Sequence, residues 1–300
     1  MALLLIVLPA FLIFTAGFIG QRVLDFDIKS ISKLSLYLLL PFLTFDTFYT
    51  NQLNADYFYM FIFTVLLTVM LVGITFLTGK LLKVDRPHMS ALQLGIIFPN
   101  SGNYGAPVAL FAFGALAFDY AIIIMVIHGF LINSLGIFLA SLGGSNSTGL
   151  KGALIRLTRM PVMYGAIIGI IFQIANIPLP STIIDGISMV GSASIPVVML
   201  ILGMQLAEIK PQKFNVKYVS SITLLRMVVS PLLALALVQI MPVSELIKQV
   251  FILLAAMPVA ANTTVLAVQF DCKPDLISFA TLVTTLLSMI SIPFVLFLLG

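Results

Sequence analysis

Long stretches with few charged residues or none constrain this 300-residue chain more than any other feature. Each stretch is about as long as the 20 residues that a helix needs to span the hydrocarbon core of a bilayer. The apolar runs are residues 2–20, 31–50, 57–79, 89–118, 120–141, 160–184, 186–207, 218–241, 249–270 and 276–300. Because only short loops separate them, the sequence predicts an all-α polytopic membrane protein with ten transmembrane helices.

The composition excludes most soluble classes of protein. Hydrophobic residues make up 61% of the chain and charged residues 9%, whereas about a quarter of a soluble domain is charged. The net charge of +4 does not indicate a nucleic-acid partner, because Lys and Arg in membrane proteins mainly mark cytoplasmic loops. The first run lacks a basic start and a polar cleavage region, so we expect a helix of the fold rather than a signal peptide.

The basic residues predict the orientation of the chain through the positive-inside rule. Alternate loops hold 13 of the 15 Lys and Arg residues, as 3+3+3+3+1. These are Arg22, Lys29, Lys33, Lys80, Lys83, Arg86, Lys151, Arg156, Arg159, Lys210, Lys213, Lys217 and Lys273. Lys248 alone lies on the other side, and Arg226 lies within a run. We therefore expect a multi-pass protein of the cell membrane, plasma or inner, with both termini outside the cytoplasm.

Matching residues divide the chain into two similar halves, residues 1–150 and residues 151–300. The offsets between matched positions drift only from 152 to 159 residues. The matched pairs are Pro9 with Pro161, Gly17 with Gly169, Gln21 with Gln173, Pro41 with Pro196 and Asn103 with Asn262. Each half contains five predicted helices, and an odd number forces the second half to enter from the opposite side. Such inverted repeats are typical of secondary transporters.

The fourth and ninth predicted helices are interrupted near their middles. Residues 98–103 and 257–262 both contain Pro-x-x-x-Asn, ten to fourteen residues into an apolar run and therefore near the bilayer midplane. Proline frees backbone groups, which are tolerated only in a polar cavity or inside protein. We expect the two breaks to meet and to offer free N–H groups at helix N-termini to an anion.

These features together resemble the auxin efflux carrier family over nearly the whole chain. The resemblance rests on the five-helix halves, Pro41 in the stretch 37–42, the stretch 98–107 and the stretch 257–262. It implies that helices 4 and 9 cross, that the chain forms a homodimer, and that helices 3–5 and 8–10 move as an elevator against a scaffold of helices 1, 2, 6 and 7. It also implies organic anion substrates such as malate, malonate or auxin-like acids. A central loop of only residues 143–152 weakens a specific inference of auxin, because the long plant exporters have a much larger one.

The predicted substrate-binding residues surround the two breaks. By the resemblance, Asn103 and Asn262 match the asparagines that the family places beside the substrate carboxylate. We expect the hydroxyl groups of Ser101, Thr263 and Thr264 to add contacts. The full set is Pro99, Asn100, Ser101, Gly102, Asn103, Tyr104, Pro258, Ala261, Asn262, Thr263 and Thr264. We expect no cofactor and no metal site, because the two histidines and Cys272 stand alone in the sequence.

Three ionisable residues inside the predicted helices are candidates for charge balance or coupling. Arg226 lies near the midplane and needs a partner, which is Asp46, a substrate carboxylate or freed carbonyls at a break. His128 lies at mid-depth and is either a proton-coupling group or a neutral histidine bonded to another helix. Asp46, near the outer headgroups, fits a structural or gating role better than a role as a ligand.

The predicted function is secondary or potential-driven transport of small organic anions by alternating access. No Walker A pattern occurs, and no enzyme is expected. A sodium-coupled bile-acid-type symporter is the alternative within the same class. An intramembrane prenyltransferase, suggested by Asp271 and Asp275, and a sensor that binds without transport are the alternatives from other classes.

Overall fold

A computed structural model describes residues 2–144, 160–209 and 215–300, with side chains from residue 7 onward. Over these residues the chain is helical with no strand, so the all-α prediction is confirmed. A single isolated β-bridge joins Pro99 and Val259. The predicted boundary between the halves lies outside the described residues, as do Lys151, Arg156, Arg159, Lys210 and Lys213.

The described ranges form twelve helices, numbered in chain order. The first six are α1 (Ala2–Leu24), α2 (Ile28–Thr50), α3 (Ala55–Leu81), α4 (Arg86–Ile97), α5 (Ala106–Phe113) and α6 (Ala115–Gly143). The others are α7 (Pro161–Ile174), α8 (Ser181–Glu208), α9 (Val216–Val238), α10 (Glu245–Ala255), α11 (Ala261–Phe270) and α12 (Pro274–Leu299). A π-helical turn, Ser101–Gly105, leads directly into α5, and α2, α6 and α9 each contain one such turn.

Within the described part of the chain, seven helices are long and apolar enough to cross a membrane, namely α1, α2, α3, α6, α8, α9 and α12. Helix α7 is apolar but has 14 residues, which at 1.5 Å per residue span about 21 Å. Helices α4, α5, α10 and α11 are half-length pieces of 12, 8, 11 and 10 residues.

Two predicted boundaries between runs are wrong. The run 89–118 continues only to Phe113, where Gly114 takes a φ of 87° and its N–H donates to the Leu110 carbonyl, 3.0 Å away. The run 160–184 breaks after Ile174, because Asn176 has a φ of 50° and Pro178 and Pro180 follow it in the turn before α8. Neither turn contains a charged residue, so runs delimited by charged residues did not reveal these helix ends.

Glycine permits the closest helix contacts. A Cβ atom at Gly17 of α1 would lie 2.2 Å from the Leu200 carbonyl oxygen of α8, and one at Gly165 of α7 would lie 2.2 Å from the Pro41 carbonyl oxygen of α2. Only glycine allows main chains to approach so closely. Two tight helix pairs, α1 with α8 and α7 with α2, result.

Candidate functional site

The two helix interruptions lie against each other. The N–H of Asn100 donates to the Pro258 carbonyl at 2.8 Å, and the N–H of Ala260 donates to the Phe98 carbonyl at 3.1 Å. These bonds flank the antiparallel bridge between Pro99 and Val259. Buried backbone groups need hydrogen-bond partners. Here the segment that precedes α5 and the segment that precedes α11 supply these partners to each other. We call residues 98–100 and 256–260 the junction.

A cavity of about 110 Å³ lies beside the junction, and we call it the junction cavity. Its polar or small lining residues are Asn100, Ser101, Gly102, Asn103, His128, Gly129 and Asn262. Its apolar walls come mostly from α2, α6 and α7, through Leu36, Leu40, Met125, Val126, Ile132, Val162 and Met163, with Met160 immediately before α7. Sequence reasoning missed these walls, because no local motif distinguishes them from other apolar residues. No Lys, Arg, Asp or Glu is among the described lining residues.

The helices that follow the junction begin without a capping side chain. Asn100 precedes the turn that leads into α5, Ala260 precedes α11, and neither residue caps its helix with a side-chain hydrogen bond. The first N–H groups of a helix have no partner inside it, and together they carry about half a positive charge. Residues 102–103 and 261–262, which belong to these two N-terminal ends, line the junction cavity.

The predicted asparagines differ in exposure. Asn100 is 5% exposed, and its Nδ2 atom has no hydrogen-bond partner among the described residues. Asn103 is half-buried and Asn262 is exposed. Together with Pro99, Ser101, Gly102 and Ala261, these residues bring seven of the eleven predicted binding residues to the same cavity.

The remaining four predicted residues do not line the junction cavity. Tyr104 is fully buried, accepts a hydrogen bond from the Ser288 hydroxyl at 2.9 Å and packs edge-on to Phe14 of α1. Pro258 forms part of the junction itself. The Thr263 hydroxyl donates to the Ala260 carbonyl at 2.6 Å.

Thr264 lines a separate cavity of about 360 Å³ between α8, α11 and α12. Gln205, Glu208 and Asp275 also line it, and Ala261 is common to both cavities. Two of its lining residues adjoin basic loop residues in the chain, Ile28 beside Lys29 and Asp275 two residues after Lys273. This cavity therefore lies on the side of the basic loops.

Arg226 is completely buried on α9, and its partners are one hydroxyl and the carbonyls that end α4 and α10 just before the junction. One terminal nitrogen donates to the carbonyls of Ile96 and Ile97, at 2.8 and 3.2 Å. The other donates to the Ala255 carbonyl at 2.5 Å and to the Ser230 hydroxyl. The sequence left three kinds of partner open for Arg226, namely Asp46, a substrate carboxylate or freed carbonyls at a break. Its described contacts include the third kind, the carbonyls.

Asp46 and His128 lie in different surroundings. Asp46 of α2 is half-buried and accepts a hydrogen bond from the Ser188 hydroxyl of α8 at 2.8 Å, so it joins two helices away from the junction. His128 of α6 lines the junction cavity, and its Nδ1 atom is buried without a partner among the described residues.

Comparison with known proteins decides the family. A family model described as membrane transport protein matches residues 1–296. The chain belongs to this membrane transport protein family. The family includes the auxin efflux carriers, so the resemblance seen in the sequence is confirmed.

Two similar proteins cover nearly the whole chain. An uncharacterized transporter of Methanothermobacter thermautotrophicus is 25% identical over 298 residues, which are 98% of this chain and 95% of the relative. An uncharacterized transporter of Methanocaldococcus jannaschii is 27% identical over 271 residues, 88% of this chain and 87% of the relative. The family and these relatives make this chain a multi-pass membrane transporter, not an enzyme.

Proposed function

We propose that this protein is a secondary or potential-driven transporter of small organic anions, carboxylates such as malate, malonate or auxin-like acids. The observation that carries the proposal is that two uncapped helix N-termini adjoin one cavity, which has no charged side chain among its described lining residues. Two such ends together offer about one positive charge. That charge matches one carboxylate.

The carboxylate binds to the free N–H groups of residues 102–103 and 261–262 and to the side-chain amides of Asn103 and Asn262. The Ser101 hydroxyl and the buried Nδ2 group of Asn100, which has no partner in the described part of the chain, add donors. The body of the substrate packs against Met125 and Met163 in the apolar walls. A second carboxylate would enter the cavity without a matching cation, so among these substrates we expect auxin-like monocarboxylates with apolar bodies to be carried faster than the dicarboxylates malate and malonate.

We also propose ten membrane crossings arranged as two inverted repeats, in which α4 with α5 and α10 with α11 are the crossed, broken fourth and ninth helices. A repeated contact supports this arrangement. Gly17 packs against Leu200 and Gly169 packs against Phe45, and a Cβ atom at either glycine would meet the facing carbonyl. Gly169 is 152 residues after Gly17, and Leu200 is 155 residues after Phe45, which are offsets of the sequence repeat.

Alternating access then follows an elevator mechanism in a homodimer of the cell membrane, with both termini outside. Helices α1, α2, α7 and α8 form the scaffold, and the remaining helices carry the substrate. The junction cavity supports this division, because Leu40 and Met163 come from the scaffold while Asn103 and Met125 come from the mobile part. The cavity of about 360 Å³ on the side of the basic loops is the path to the cytoplasm.

Counterflow in proteoliposomes tests this proposal with N103A and N262A variants. Labelled malate, malonate, indole-3-acetate and a bile acid are compared at fixed ionic strength in sodium and in choline. A hydrogen bond to a charged group contributes about 1.5–3 kcal/mol, so each variant should lose about 10- to 100-fold of the transport rate. The dimer should remain folded by size-exclusion chromatography.

N133A is the matched control. The Asn133 amide bonds to the Gly129 carbonyl of its own helix at 2.9 Å and does not line the junction cavity, so its rate should equal that of the wild type. Wild-type rates in both N103A and N262A would refute the site. Sodium-dependent bile-acid uptake would favour the symporter, and tight binding without flux would favour a sensor.

A further inference from the structure

Arg226 is surrounded by oxygen atoms and does not line the junction cavity. Three main-chain carbonyls and one hydroxyl surround its guanidinium group, and these four oxygens are what we call the oxygen cage: Ile96, Ile97, Ala255 and Ser230. The Ser230 hydroxyl also donates to the Ala255 carbonyl at 2.9 Å. Helix α9 presents this arginine on a π-helical turn, Leu225–Val229.

The carbonyls of the oxygen cage belong to the C-terminal ends of α4 and α10. A helix C-terminus carries about half a negative charge, so two such ends together carry about one. The single charge of the guanidinium group balances them. Without it, two negative helix ends would face each other inside the membrane with no counter-charge, which is costly at low dielectric.

Such an arrangement of oxygens is also what a free cation requires. Carbonyl and hydroxyl oxygens are the ligands that hard cations prefer, and in carriers with discontinuous helices the C-terminal ends of half-helices coordinate the coupling ion. We propose that Arg226 is the permanent occupant of a cation site, tethered to the chain in the place of a free ion. The wild-type protein therefore takes no alkali cation there, whereas removal of the side chain leaves a site that accepts one.

The oxygen cage is separated from the junction cavity. A small cavity of about 10 Å³ lies next to Arg226, and the residues that it shares with the junction cavity are Pro99 and His128. A volume of that size holds at most about one water molecule. None of the four cage residues lines the junction cavity, so the cation site and the anion site are separate, and the proposal does not depend on which anion is carried.

Thermal unfolding of the purified protein tests the proposal without any transport assay. The chain has no Trp, but Cys272 is its only cysteine and is buried, so a thiol-reactive fluorophore reports unfolding. Wild type, R226A and the control R22A, which removes an arginine stacked on Phe18 at the end of α1, are compared in choline chloride. Each is then transferred to sodium chloride or to millimolar guanidinium at equal ionic strength.

We expect the Tm of R226A to fall by about 5–10 °C in choline and to recover by at least half in millimolar guanidinium, with a smaller recovery in sodium. Wild type and R22A should change by less than about 1 °C between these salts. A rise of the wild-type Tm in sodium, or an R226A variant that no cation stabilises, would overturn the proposal.

A second pair of variants decides the matter if R226A does not fold. R226K keeps the positive charge with fewer donors, and R226Q keeps a donor without the charge. If the positive charge of Arg226 is what the site requires, the Tm of R226K should be several degrees above that of R226Q. An equal or reversed order would show that shape and hydrogen bonding, rather than charge, explain the arginine.

Discussion

The four half-length helices around the junction end in two different ways. Asp85 and Ser244 cap the N-termini of α4 and α10 through their side chains, and Arg226 closes both C-termini. At the far ends, Gly114 closes α5 and the left-handed Asp271 closes α11. The two N-termini beside the junction cavity are the ones left without a side-chain cap.

This difference shows where the chain leaves room for a partner. A closed end has its polar groups satisfied by the protein and needs nothing else. An open end beside a cavity keeps donors free in a membrane, where unsatisfied groups are costly. We therefore expect the two open N-termini beside the junction cavity to receive a ligand, whereas the C-termini of α4 and α10 are satisfied by Arg226.

Capping one of the open N-termini beside the junction cavity should have the largest effect, which is a loss of transport. Ala260 is the residue before α11, has extended backbone geometry (φ −67°, ψ 130°) and lines the junction cavity. In A260D a permanent carboxylate would accept the amides of α11 and repel the substrate, with a cost of several kcal/mol. We expect counterflow to fall by about 100-fold or more, while the Tm is unchanged or raised.

P180S is the control for this change. Pro180 precedes α8, whose N-terminus also lacks a side-chain cap but lies away from the junction cavity. Adding a serine cap there should leave transport at the wild-type rate. Normal transport by A260D would mean that the open end of α11 does not receive the carboxylate.

Opening one of the closed ends should have a smaller effect that appears in stability. The Asp85 carboxylate accepts the backbone N–H of His88 at 2.9 Å, and D85A should cost about 1 kcal/mol, or about 2–4 °C in Tm. Transport should persist, because the junction cavity is unchanged.

The stability supplied by Asp85 depends on pH with a definite sign. The hydrogen bond from the His88 backbone N–H is the main reason that the pKa of Asp85 lies below its usual value of 3.8. A carboxyl whose pKa is lowered by folding stabilises the protein above its unfolded pKa and loses that contribution as the pH falls through the folded pKa. The Tm difference between wild type and D85A should persist down to about pH 5 and shrink below about pH 4.

S244A is the control for this pH dependence. The Ser244 hydroxyl accepts the N–H of Ile247, and it does not titrate. Its Tm difference from wild type should remain constant over the same pH range. If D85A also showed no change on acidification, the carboxylate would not be the group that closes α4.

The closed far end of α11 should give the smallest effect, seen in the reactivity of Cys272. Its N–H donates to the Ala267 carbonyl at 3.0 Å, and burial raises the pKa of the thiol to about 11. Because the thiolate is the reactive form, maleimide labelling of the folded protein should be slow at pH 7 and rise about tenfold per pH unit up to pH 10. Rapid labelling at pH 7 would mean that this end opens in the native protein.

Local chemistry made the junction predictable from the sequence. Proline and asparagine are rare interruptions in an apolar run, and their effect on the helix is determined within a few residues. Pro99 and Pro258 therefore indicated both breaks, and the neighbouring Asn103 and Asn262 line the resulting cavity.

Features that depend on the packing of distant helices were not predictable in the same way. Leu36, Met125 and Met163 form walls of the junction cavity although they come from three helices and resemble any other apolar residue. The partners of Arg226 are main-chain carbonyls, which have no signature in the sequence. Tyr104 adjoins Asn103 in the chain, but the π-helical turn directs its ring toward α1 and away from the cavity.

The contact between α1 and α8 has a consequence for measuring movement. A methyl group at Gly17 would lie 2.2 Å from the carbonyl oxygen of Leu200, and one at Gly203 would lie 2.0 Å from that of Phe14. A shift of even one residue along either helix would drive a bulkier neighbour into main-chain atoms, so the pair is interlocked. By contrast, the turn before α5 contacts α1 through the flat ring of Tyr104, and this contact does not interlock main-chain atoms. Spectroscopic labels on α1 and α8 should thus keep a constant separation. That distance is a fixed reference against which any displacement of α5 can be measured.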